Sequence, residues 1–422
     1  MVEDSRRVLG FGSLLALGLN GIVGVGIFFA PAELAKLVPG PASALAFMLT
    51  AVLLVPVAWA YGRLGSAYPE DGGPYVWARE ALGEGFGFAV GFVAYVSAVL
   101  STAAVVSGLG QYLAPALGLG SSAGRLGFQL VAALLLAGIA GLGLRVSAWV
   151  WSGLTLLKLT PLLLLVAAAL PSLVASDAPS APLPAAGLGR AALIAVFPLQ
   201  GFEIVPVPSG EVRGNRRTVL AATLLSLGLA SGLYVLLQLA CSHALPDLAQ
   251  ASAPIVEAGA FYTGAPLMGL FAAGTNLSAI GIAFGMFAMT PRYLAALGTP
   301  RLLGTGLARE TRSVPLRALA ITAGAVVLLV SSASLSGLFV LSSLAVLAQY
   351  AVSAVSLFRL AQRRERGLGR LDQWLAPLSL ASIALLARAA QPAELAIVAG
   401  VLAVGFALLY ARRALASRSA AR

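Results

Sequence analysis

Two glycine-rich interruptions of apolar segments carry the groups with which this chain is equipped for chemistry. They are Asn20-Gly21-Ile22-Val23-Gly24-Val25-Gly26-Ile27-Phe28 and Phe197-Pro198-Leu199-Gln200-Gly201-Phe202-Glu203. A helix that stops and restarts leaves backbone N–H and C=O groups without intrahelical partners. Where a helix restarts after Gly24, the amides of Val25 and Gly26 stand at a positive dipole end and suit a carboxylate. Where the preceding half-helices stop, carbonyls around Ile22, Phe197 and Gln200 turn negative ends outward and suit an ammonium. Together they match the α-carboxyl and α-amino groups that every amino acid carries. The candidate substrate-binding set is therefore Ile22, Gly24, Val25, Gly26, Phe197, Gln200, Gly201 and Phe202. Glycine admits a close approach of backbone to ligand; its other reading is tight helix packing through small residues.

Two ionisable residues accompany these breaks at depth within apolar sequence, Lys158 near the middle of the fifth segment and Glu203 just after the second break. Such a group is by default a functional candidate, because burying it in lipid is costly. Each has two readings: a proton carrier in a coupling or gating step, or a tether for backbone groups freed at a helix break. His243, the single histidine, lies toward the end of the seventh segment and reads as a surface residue. Cys241, the single cysteine, excludes an intrachain disulfide and Cys-rich metal sites and reads as a small buried hydrophobe. The sequence offers no metal-ligand cluster, no nucleophile–base pair and no signalling domain, so an enzyme or a sensor has no support.

The elements that hold these residues follow from composition. Of 422 residues 59% are hydrophobic and 10% charged, with a mean hydropathy of +0.93. Those values belong to an all-α integral membrane protein rather than a soluble domain. Apolar runs of membrane-crossing length recur about twelve times, near 10–37, 42–64, 86–114, 126–143, 147–170, 189–209, 218–243, 266–290, 315–333, 336–359, 373–389 and 393–411. The first is too long and too glycine-rich for a cleaved signal peptide and is expected to be retained. No hydrophilic stretch is long enough for a soluble domain, so residues 1–422 read as one membrane domain.

The formal net charge of +11 follows the connections between segments. With the N-terminus inside, 22 arginines fall on cytoplasmic stretches, against Lys36, Arg125, Arg190 and Arg388 on the other face. That asymmetry predicts a multi-pass protein of the cell membrane with both termini cytoplasmic. It explains the basic excess as topology, with no part for nucleic acid.

Four short motifs, in order around these segments, resemble the amino acid-polyamine-organocation superfamily of permeases, whose inverted-repeat fold is shared with the leucine transporter. They are Gly24-Val25-Gly26-Ile27-Phe28, Glu70-Asp71-Gly72-Gly73-Pro74-Tyr75 with Ala78-Arg79-Glu80-Ala81-Leu82-Gly83, Gln200-Gly201-Phe202-Glu203, and Glu211-Val212-Arg213-Gly214-Asn215-Arg216-Arg217-Thr218. The resemblance covers nearly the whole chain. It implies two inverted five-helix repeats, 8–170 and 188–360, with helices one and six broken and two C-terminal helices at 371–414. It implies an amino acid or polyamine as small-molecule substrate, protons as the coupling ion, no cofactor, and a monomer or homodimer in the lipid bilayer. The activity implied is proton-coupled, sodium-independent uptake of amino acids by alternating access, with exchange of a basic amino acid for its amine product as the alternative. Phe197 takes the place of an aromatic gate, Lys158 that of a lysine replacing a sodium ion, and Tyr95, Ala283 and Ser342 places near the substrate side chain. Val25 stands where relatives often carry Ser, Thr or Ala, so a hydroxyl contact to the carboxylate is missing.

Overall fold

The structure is a computed structural model that describes residues 9–68, 73–143, 148–175, 185–212, 217–298, 303–311 and 314–420. Among these residues there are fifteen α-helices and no strand, only two isolated bridges, Leu9 with Val212 and Thr311 with Val314. In chain order the helices are α1 (Phe11–Ile22), α2 (Gly26–Ala35), α3 (Ala44–Ala67), α4 (Pro74–Leu82), α5 (Glu84–Ala116), α6 (Ser122–Gly141), α7 (Ala148–Ala175) and α8 (Ala185–Leu199). There follow α9 (Arg217–Ala244), α10 (Pro254–Thr263), α11 (Ala265–Ala296), α12 (Leu316–Ser332), α13 (Leu335–Gln362), α14 (Arg370–Ala387) and α15 (Pro392–Ala420).

Each expected apolar segment contains an α-helix among the described residues. By length and apolarity α3, α5, α6, α7, α9, α11 and α13 are able to cross a membrane, and α1 with α2, bent by 48° at their break, pass the same test as a pair. A multi-pass membrane protein follows, since helices satisfy their own backbone where lipid cannot. The sequence reading missed α4 and α10. Each opens with a proline, Pro74 and Pro254, at the position where its missing N–H costs nothing.

One expected span departs from regular helix. The segment near 189–209 is α-helical only to Leu199; beyond Gly201 the chain runs through 3-10 turns at Phe202–Ile204 and Ser209–Glu211. Pro206 and Pro208 lack the N–H groups that an α-helix needs there, so tighter turns replace it.

The chain divides into two compact units interleaved along the sequence. The first comprises Met1–Trp77, Ser147–Ala279 and Ser353–Ala389. Within it α3 lies against α9, α8 and α14, and α1 against α9. Small residues allow this closeness: a Cβ on Gly62 would press on Leu220, and one on Gly65 on Pro206. Thr50 Oγ1 donates to the Ala192 carbonyl at 2.8 Å, joining α3 to α8. Phe47 and Tyr234 meet at 5.4 Å between ring centroids. The second unit comprises Ala78–Val146, Ile280–Val352 and Ala390–Arg422. Hydroxyl pairs fasten it, with Ser101 to Ser342 at 2.8 Å, Thr102 to Thr290 at 3.2 Å and Tyr95 to Thr322 at 3.2 Å. Gln129 Nε2 donates to the Ser107 carbonyl at 3.1 Å, its side chain filling the space left by Gly110.

Candidate functional site

The first break is a tight turn. Val23 N–H donates to the Leu19 carbonyl at 2.8 Å, and Gly24 N–H to the Ile22 carbonyl at 2.6 Å. Val23, at φ −72° and ψ 76°, is thus the centre of an inverse γ-turn that stops α1. Val25 returns to helical angles and α2 begins at Gly26. The N–H groups of Val25, Gly26 and Ile27 open the new helix, with no earlier turn of it to receive them.

At the second break α8 ends at Leu199 and Gly201 takes φ +120°. That conformation costs a side-chain-bearing residue about 1–3 kcal/mol. The Glu203 carboxylate accepts the Gly201 N–H at 2.7 Å and so caps the freed backbone. Lys158 serves the first break in the same way. Its Nζ, on a side chain almost wholly buried, donates to the Asn20 carbonyl at 2.8 Å near the end of α1. Both ionisable residues are therefore bonded to backbone of the interrupted helices.

The glycines separate into two kinds. A Cβ on Gly201 would collide with the Gly21 carbonyl and the Ile22 nitrogen, and one on Gly21 would lie 2.9 Å from the Gly201 carbonyl oxygen. A Cβ on Gly26 would meet Phe197 and Pro198 at 3.0 Å. Close packing of the two broken helices demands glycine at 201 and leaves little room beside Gly21 and Gly26. Gly24 is different. A Cβ there would meet only the Ile22 carbonyl oxygen, at 3.8 Å, with nothing else within 4 Å. Of the candidate glycines Gly24 alone borders open space, at the foot of the N–H groups that begin α2.

The remaining candidates are placed as follows. Ile22, Val25 and Phe202 are buried, Phe202 meeting Tyr61 edge to face at 6.1 Å. The Ile22 carbonyl already accepts two bonds, from Gly24 N–H and from the Tyr234 hydroxyl at 2.8 Å. Phe197 is 5% exposed and packs beside Gly26. Gln200 donates its N–H to the Val196 carbonyl at 2.9 Å. Tyr95, Ala283 and Ser342 are buried in the second unit, where Tyr95 and Ser342 make the hydroxyl pairs given above. His243 is exposed and stacks on Tyr262 at 6.3 Å, and Cys241 is buried, as expected. The motif residues Glu70, Asp71, Gly72, Arg213, Gly214, Asn215 and Arg216 lie outside the described residues. Among the described residues no group of three His, Cys, Asp or Glu side chains is arranged to hold a metal.

Helix α9 contributes what the sequence reading missed. Tyr234 holds the end of α1 through Ile22. One turn on, Gln238 Nε2 donates to the Pro31 carbonyl of α2 at 3.2 Å and to Ser43 Oγ at 2.7 Å. A single face of α9 thus grips both halves of the broken helix. The available signal was the i, i+4 spacing of two polar residues within an apolar helix.

The family model described as amino acid permease matches residues 9–414. An uncharacterized transporter of Mycobacterium tuberculosis (strain H37Rv) is 29% identical over 424 residues, covering 99% of this chain and 94% of the relative. Cationic amino acid transporter 4 of Homo sapiens is 26% identical over 271 residues, 58% of this chain and 42% of its own. The methylthioribose transporter of Bacillus subtilis is 25% identical over 261 residues, 58% of this chain and 56% of its own.

Proposed function

The chain belongs to the amino acid permease family, and from that premise we propose that it carries amino acids inward across the cell membrane by alternating access, coupled to protons and independent of sodium. It is a multi-pass membrane transporter; substrate, coupling and orientation are the finer part of the proposal. The observation that carries the reading is the open side of Gly24 beside the unpartnered start of α2. A carboxylate seated there would receive the N–H groups of Val25 and Gly26 at the positive end of a helix dipole. Since the Ile22 carbonyl is already shared by two donors, the α-ammonium is assigned to the carbonyls that end α8, around Phe197 and Gln200. Phe197 and Phe202 close the hydrophobic side of this site.

Lys158 supplies the coupling step in this proposal. Its ammonium neutralises the carbonyl end of α1 through Asn20, a role a metal cation would otherwise perform. Loss of its proton would release that end of the helix, which links protonation to the shape of the break. Glu203, holding Gly201, is assigned the corresponding gating role at the second break. Residues 8–170 and 188–360 form the two repeats of the proposed architecture, with 371–414 outside them and both termini cytoplasmic.

A second reading, exchange of a basic amino acid or polyamine, is favoured by the cationic amino acid transporter among the relatives. It requires a buried carboxylate for the distal ammonium. Glu33 is buried but paired with Lys36 at 2.6 Å, and Glu203 is occupied by Gly201 N–H. One experiment separates the readings: sodium-free proteoliposomes screened with the twenty amino acids, putrescine, cadaverine, agmatine and methylthioribose. Uptake into empty vesicles driven by an inward proton gradient establishes symport. Uptake only after preloading establishes exchange, and uptake of methylthioribose alone refutes the amino acid assignment.

A further inference from the structure

At one end of the first unit, α3, α9 and α14 enclose a groove of about 630 Å³ that the transport reading does not use. Its lining combines apolar Trp59, Leu220, Leu224 and Leu371 with three arginines, Arg63, Arg217 and Arg370. Asp372 is the one carboxylate in the lining. Its oxygens receive Arg63 Nε at 2.8 Å, Arg63 Nη2 at 2.9 Å, Trp59 Nε1 at 3.1 Å and Gly369 N–H at 2.9 Å. Those four bonds use the acceptor capacity of a carboxylate. Beyond Arg63, which Asp372 holds, the lining carries the two further arginines Arg217 and Arg370. Arg217 and Arg370 are the residues at which α9 and α14 open, and Asp372 caps the start of α14 through the Gly369 N–H.

The apolar side does not stop at the groove. Leu371 leads along α14 to exposed Trp374, Leu378 and Leu385, and Trp59 leads back along α3 to exposed Val55 and Val52. A cationic recess that opens onto two apolar helix stripes matches a molecule with an anionic head and long hydrocarbon chains. A tryptophan at the boundary between them is typical of the depth of lipid headgroups. A soluble phosphate would satisfy the arginines but leave the stripes unused.

We propose that this groove binds an anionic phospholipid of the leaflet on the arginine-rich face, its phosphate between Arg217 and Arg370 and its acyl chains along α3 and α14. Basic recesses between membrane helices suit such headgroups. The inference goes beyond the transport reading and does not depend on the substrate or the coupling ion. That the leaflet is cytoplasmic rests on the orientation proposed above, but binding in detergent does not.

The test is native mass spectrometry of the purified full chain in detergent, titrated with dioleoyl phosphatidylglycerol, dioleoyl phosphatidylcholine or inorganic phosphate. The expected result is preferential retention of phosphatidylglycerol. Arg370→Gln should weaken it about fivefold, and Arg217→Gln with Arg370→Gln about twenty-five-fold. Leu224→Trp, which fills the groove without changing charge, should also weaken it, and the thermal transition of lipid-free protein reports folding of each variant. Equal retention of the two lipids, or unchanged retention by the folded double variant, overturns the proposal. Complete displacement of phosphatidylglycerol by millimolar inorganic phosphate reassigns the groove to a soluble anion and overturns it as well.

Discussion

Replacing Gly24 by alanine isolates the ligand from the fold. The added methyl would project into space where the nearest protein atom is the Ile22 carbonyl oxygen at 3.8 Å, and the position has no left-handed backbone to strain. Stability should therefore hold or rise by about 0.4–1 kcal/mol, because alanine restricts the unfolded chain. A carboxylate resting on the Val25 and Gly26 amides would meet that methyl directly. Overfilling a fitted site costs about 1–3 kcal/mol, which converts to about a 5- to 150-fold loss of affinity. The assay pairs thermal unfolding of purified protein with initial rates of labelled substrate uptake in proteoliposomes. The expected result is an unchanged transition temperature with KM raised in that range. A folded variant with wild-type KM and rate would refute placement of substrate at the start of α2.

Other perturbations probe the supports of the same site. Gly201→Ala must hold alanine at φ +120° and press its methyl on Gly21; strain and overpacking of about 1–3 kcal/mol each should lower the transition temperature markedly. Lys158→Ala removes the donor to the Asn20 carbonyl, and uptake should lose its pH dependence while the protein still folds; unfolding instead would identify Lys158 as a tether only. Tyr234→Phe deletes one of the two bonds to the Ile22 carbonyl, with an expected cost of about 1 kcal/mol in unfolding free energy, and a larger effect on uptake rate than on stability if the break moves during transport.

The two breaks were legible because their causes are local. Glycines clustered with β-branched residues at 20–28, and a proline and glycine around 198–201, interrupt an apolar pattern whatever lies around them. The helices long and apolar enough to cross a membrane were legible because their apolar runs are local as well. The continuation past Gly201 was misjudged because Val205-Pro206-Val207-Pro208 is apolar enough for a span, yet its two prolines forbid regular helix. The difference among the glycines could not be read at all. Whether Gly24, Gly26 or Gly201 faces packing or open space depends on Phe197, Pro198 and Gly21, brought alongside by tertiary structure. The grip of Tyr234 and Gln238 on both halves of the first broken helix was hidden likewise, since its acceptors are main-chain carbonyls that a sequence does not display.

The mutual fit of Gly21 and Gly201 turns two separate interruptions into a single joint. Neither glycine leaves room for even a methyl on the other's backbone, so the end of α1 and the chain following α8 have almost no freedom to slide across each other. A contact this close is expected to resist sliding more than rotation about the point of touch. Genetically it behaves as one locus: a bulkier residue at position 21 should be rescued, if at all, by changes in the strand of chain around 201, and suppressors found elsewhere would show that the joint has more play than its glycines suggest.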